Sequence, residues 1–117
     1  MFSYELIQEL KKKRGIEKDI EVAELLPAMN KGNLSSIKSG RRHLTEEQAL
    51  FIAHECNLSV DWVLVQLAEE TAKSEEAKNA WHNLAKKLNK SVLAAILAVI
   101  VIFSGLDKAE ERDVLFA

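Results

Sequence analysis

Residues 30–42 read NKGNLSSIKSGRR, and only Leu34 and Ile37 among them are apolar. Those two stand three residues apart, the spacing of one helix face. Asn30 is a good N-cap and Gly40 a natural stop, so the pattern predicts a helix over 31–39 tied to a core by two anchors. The outer face is then Lys31, Asn33, Ser35, Ser36 and Ser39, all small or hydrogen-bonding. Small side chains let a helix sink into a groove about 12 Å wide, where Lys and Asn can address base edges. Gly32 lets the backbone approach closely. The candidate base contacts are Lys31, Gly32 and Asn33, and the candidate phosphate contacts are Asn30, Lys38, Arg41 and Arg42.

The neighbouring segments supply a core for those anchors. Upstream, Pro27 stops a short second helix from Asp19 to Leu26, whose Ile20, Ala23 and Leu26 are expected to face inward. Before it, Phe2, Leu6, Ile7 and Leu10 mark a first helix, ended by Gly15 as a left-handed cap with Ile16 folding back. The run Lys11–Arg14 in its last turn has two readings, compensation of the helix dipole or phosphate contact. Downstream, Thr45 and Gln48 in HLTEEQ form a capping box for a fourth helix, with Ala49, Ile52, Ala53 and Cys56 on its inner face. Asn57 ends that helix, and Ser59 caps a fifth that carries Trp62, Val65 and Leu67.

A short helix, a tight turn and a polar-faced helix is the helix-turn-helix pattern. The stretch EVAELLPAMNKGNLSSIKSGRRHLTEEQALFIAHECNLSVDWVL resembles the Cro/C1-type, lambda-repressor-like regulators of phages and bacteria. The resemblance is carried by the Leu-Ser-x-Ile-x-x-Gly-x-Arg run, the Leu-Thr-x-x-x-Ala start of the fourth helix and the closing Leu-Ser-x-Asp-Trp-Val-Leu. It covers roughly residues 3–66. It implies a five-helix all-α domain over 1–67, a dimer, double-stranded DNA as partner, bases read by Lys31, Gly32, Asn33 and Ser36, and phosphates met by Ser39 and Arg41. Three features depart from the family pattern: the turn counted from Ala23 to Leu34 is one residue longer, Pro27-Ala28 replaces the usual turn glycine, and Lys38 stands where an acid is common. An ordinary helical domain with a solvated third helix is the competing reading.

Beyond residue 67 the pattern changes. Residues 68–79, AEETAKSEEAKN, suggest the start of a solvated helical connector over 68–90, with Glu69 and Lys73 able to pair. Ala77, Trp81, Leu84 and Leu88 form an apolar stripe on a helix ending near Asn89. Trp81, Leu84 and Leu88 are candidates for a dimer contact or for packing on the first domain. Then comes VLAAILAVIVIF at 92–103, with no polar face. The apolar helix over 91–106 is about 24 Å long, short of the roughly 30 Å of a bilayer's hydrocarbon core. Lys86, Lys87 and Lys90 before it and the mostly acidic residues after it suit a membrane anchor with the first domain in the cytoplasm. An oligomer core is the other reading, and 107–117 is a charged tail.

Composition narrows the class. The chain has 117 residues, 48% hydrophobic and 29% charged, with a net charge of −2, so any pull on nucleic acid must be local. The single cysteine, Cys56, forms no intrachain disulfide, and Glu5 and Glu9 spoil a secretory signal, which suits a cytoplasmic protein. His43, His54 and His82 are scattered, and the acidic pairs, Glu69–Glu70 among them, read as solvated neighbours. No catalytic set, metal site, cofactor or small-molecule substrate is expected, and an enzyme is not.

Overall fold

The computed structural model describes residues 1–91; the apolar segment and the tail expected beyond them lie outside the described residues. Six helices and no strands occur among the described residues: α1 Phe2–Arg14, α2 Asp19–Leu25, α3 Lys31–Lys38, α4 Glu46–Glu55, α5 Val60–Thr71 and α6 Glu75–Ala85. The all-α expectation holds for this part of the chain.

Local chemistry explains most boundaries. Gly15 takes the left-handed conformation at φ 67°, and the Ile16 N–H closes back on the Lys11 carbonyl at 2.9 Å. Asn30 caps α3 by accepting from the Asn33 N–H at 2.7 Å. Thr45 and Gln48 make both halves of the capping box on α4. Ser59 caps α5 by accepting from the Trp62 N–H. The core gathers Leu6, Ile7 and Leu10 of α1, Leu34 and Ile37 of α3, Ile52 of α4 and Val63 of α5, each at most 1% exposed.

Some expectations need correction. Ile20 does not face inward but is exposed; Val22 takes its place, because α2 meets the core through Val22, Ala23 and Leu26. On α5 the buried positions are Val63 and Leu67, with Val65 half-buried. Cys56 is the half-buried C-cap of α4 and packs against the core, as expected of its inner face.

The largest difference concerns residues 68–90, which are not one connector helix. α5 runs on to Thr71, Ala72 turns extended, and Ser74 caps α6 by accepting from the Ala77 N–H at 3.1 Å. α6 folds back along α5, and the hairpin closes where Ser59 N–H donates to the Lys90 carbonyl at 2.8 Å and Leu58 bridges Ser91. α6 ends at Ala85 rather than near Asn89, which leaves Leu88 beyond it and half-buried. Glu69 does not pair with Lys73; its carboxylate reaches His82 of α6 at 3.2 Å. Ala85 is the buried residue of α6, whereas Trp81 and Leu84 stay 38% and 41% exposed.

Candidate nucleic-acid interface

α3 is mounted by Leu34 and Ile37 alone, and its other side chains point away from them. Lys31, Gly32, Ser35, Lys38 and Ser39 are exposed, and Asn33 and Ser36 are half-buried. Gly32 has room to spare: an added Cβ would meet only the Asn30 Oδ1, at 3.4 Å, an ordinary contact. Nothing in its own fold therefore requires a glycine in this turn. The Asn30 carbonyl oxygen is committed to its cap, so only its amide nitrogen is left for a phosphate. The Ser39 hydroxyl donates to the Ser36 carbonyl at 3.0 Å. Past it, Gly40 is left-handed at φ 82°, and the Arg41 N–H closes on the Ser36 carbonyl, which sets Arg41 and Arg42 at the rim of α3.

The turn before α3 is held by a residue from α4. Gln48 is 4% exposed. Its amide nitrogen donates to the Pro27 carbonyl at 2.8 Å and to the Ala28 carbonyl at 3.3 Å. Its amide oxygen accepts from the Thr45 N–H. Ala28 sits at φ 52°, where the Cβ crowds the carbonyl, so the turn carries strain that a glycine would not. Gln48 thus serves the capping box and the turn between α2 and α3 together.

Much of the basic stripe is tied up inside the chain. Asp19 accepts from Lys11 Nζ at 2.6 Å and from Lys38 Nζ at 2.9 Å. The Lys11 hydrogen bond, then that of Lys38, holds the Asp19 carboxyl below the usual carboxylate range. The same bond from Asp19 raises the Lys38 ammonium. Arg14 pairs with Glu55, Nε to Oε1 at 2.7 Å. Lys31, Arg41 and Arg42 are exposed and make no ion pair among the described residues. The phosphate-contact set therefore splits: Arg41 and Arg42 are available, whereas Lys38 already spans α2 and α3.

The loop that carries those arginines is fastened by a residue expected to be solvated. Glu70 of α5 has a side chain only 7% exposed. Its carboxylate accepts from the Ser3 N–H at 2.8 Å and from the fully buried Ser3 hydroxyl. His43 Nδ1 lies 2.7 Å from Glu70 Oε2, and the Leu44 N–H donates to Ser3 Oγ at 3.0 Å. α1, the α3–α4 loop and α5 meet on this one carboxylate. Ser3 and Glu70 are 67 residues apart, and no local pattern announces them as partners.

Elsewhere, burial, with Glu9 beside it, pushes the Cys56 thiol up. Among the described residues no three His, Cys, Asp or Glu side chains form a metal-ligand set, and no helix is long and apolar enough to cross a membrane.

Part of this chain is similar to a family of phage-related proteins. The family model, DUF3693, described as phage related protein, matches residues 64–111. The match starts within α5, takes in all of α6 and runs through the apolar segment, leaving α1–α4 outside it. No curated protein and no solved structure matches the chain.

Proposed function

We propose that the chain is a sequence-specific DNA-binding transcriptional regulator of the Cro/C1 helix-turn-helix type, a phage or prophage repressor that acts as a dimer. α3 enters the major groove with Lys31, Gly32, Asn33 and Ser36 toward base edges. Ser39, Arg41 and Arg42 meet the flanking phosphates, with the Asn30 amide beside them. Lys38 adds its charge at longer range. The observation that carries this reading is the outer side of α3: exposed, small and polar, with a glycine that its own packing does not need. A solvated helix has no use for that glycine, whose helix cost of about 1 kcal/mol relative to alanine is offset only if another backbone must come close. The phage-related match over 64–111 supports the assignment of origin.

Selection of bound duplexes from a random pool by the full-length chain tests the reading. Enrichment of a two-fold-symmetric site is expected. Lys31→Ala should relax specificity at one base position, whereas Arg41→Ala should weaken all sequences alike. A pool that stays unenriched, and binds no better than to an unrelated protein, overturns it.

A second reading has one observation in its favour. The phage-related match includes the whole apolar run and leaves α1–α4 outside it, so the likeness to phage-related proteins lies in the C-terminal part of the chain. In that reading residues 91–106 anchor the chain at the cytoplasmic face of the inner membrane, and the helical domain holds a protein partner there. Recovery of the chain with membranes, lost on truncation after Lys90, supports it; a full-length chain that stays in the soluble fraction sinks it.

A further inference from the structure

Among the described residues, the exposed side of α6 carries a charge pattern that is complementary to itself. Glu75 and Glu76 open the helix, and Lys86 and Lys87 close it. Glu76 stands five residues before Trp81 and Lys86 five after; Glu75 stands six before and Lys87 six after. None of the four makes an ion pair among the described residues. Glu76 stands one helical turn before Ala80, and Lys87, in the turn past the C-cap Lys86, closes its N–H on the Leu84 carbonyl at 3.0 Å. Glu76 and Lys87 are separated by about 16 Å, too far to pair within one chain.

We infer that this face of α6 binds a second copy of the chain, the two helices antiparallel about a two-fold axis near Trp81. Antiparallel pairing brings the same flank of each helix together. Glu76 then meets the partner's Lys87, and Lys87 meets the partner's Glu76. The apolar seam fits the same arrangement. Ala77 and Ala80 lie on the N-terminal half and the exposed Trp81 and Leu84 at the centre and on the C-terminal half. Reversal of one helix therefore sets small residues opposite large ones. The inference deepens the dimer in the proposed function. It rests on residues that would not touch DNA, and α6 lies wholly within the phage-related match.

Charge exchange in the full-length chain, held in a mild detergent and measured by sedimentation equilibrium, provides the test. Glu76→Lys alone, or Lys87→Glu alone, puts like charges face to face twice per dimer and should weaken self-association about tenfold. An equimolar mixture of the two variants should recover dimers at the original strength, since each contact again pairs opposite charges. The doubly reversed chain should recover as well. A folding defect or a lipid-facing role gives no rescue on mixing, because mixing changes no chain. Variants that self-associate like the parent, a mixture no tighter than its components, or a monomeric parent would each overturn the inference. Duplex binding by the same samples separates the two claims: a rescued mixture that binds no DNA removes the regulator and leaves this interface in place.

Discussion

A glycine at the second position of α3 makes that helix less stable than an alanine would, and its surroundings leave room for the methyl group. Gly32→Ala should therefore stabilise the fold by about 0.5–1 kcal/mol in urea unfolding while weakening duplex binding at least tenfold. A variant that gains stability and keeps full binding would show that no backbone approaches there. Asp19 is the second informative residue, since it occupies Lys11 and Lys38. Asp19→Asn removes an acid beside α3 and frees Lys38, so duplex affinity should rise about two- to fivefold, more at low salt. The Asp19 carboxyl is lowered on folding, so its stabilisation is present above its ordinary value of 3.8 and is lost as the pH falls through the folded value. The Lys38 ammonium is raised, so its share is present below its ordinary 10.5 and is lost as the pH rises through the folded value. Thermal melts across pH should show both limbs in the parent chain and both flattened in Asp19→Asn.

Among the elements, α5 has the most connections. One face supplies Val63 and Leu67 to the core, and its end presents Glu69 to α6 and Glu70 to α1 and the arginine loop. Glu70→Ala strips the acceptor from Ser3 and His43 at once and should cost about 2–4 kcal/mol, read by urea unfolding. Glu70→Gln keeps one acceptor oxygen and should cost less. If Glu70→Ala changes stability by under half a kilocalorie per mole, the clamp is not a structural tie. These connections also show which elements could be read locally. α1, α3 and α4 end where Gly15, Asn30 and Thr45 satisfy backbone groups a few residues away. The start of α6 has such a signal too, in Ser74-Glu75-Glu76, but the thin apolar pattern around it masks the break. The direction of α2 had no local signal: Ile20 and Val22 are both apolar, and only packing against α3 and the core selects Val22.

For the whole molecule, a net charge of −2 means that the proposed DNA binding would rest on a few side chains. With Lys11, Arg14 and Lys38 paired internally, Lys31, Arg41 and Arg42 remain, about three phosphates per protomer. A dimer should then give a slope of about −5 in a plot of log affinity against log salt, and one near −10 would mean that the internal pairs open on binding. The all-helical class, the caps and the two anchors of α3 are written in contacts that span three or four residues, where chain geometry leaves little choice. The polar interior is different in kind. Ser3 with Glu70, Gln48 with Pro27 and Asp19 with Lys38 join residues far apart in the chain. A buried polar group needs a partner but not a particular one, and which partner comes within 3 Å is settled only when the helices have packed. Local hydrogen-bond closure therefore shaped the interface helix, while tertiary packing decided which of its neighbouring charges remain free to act.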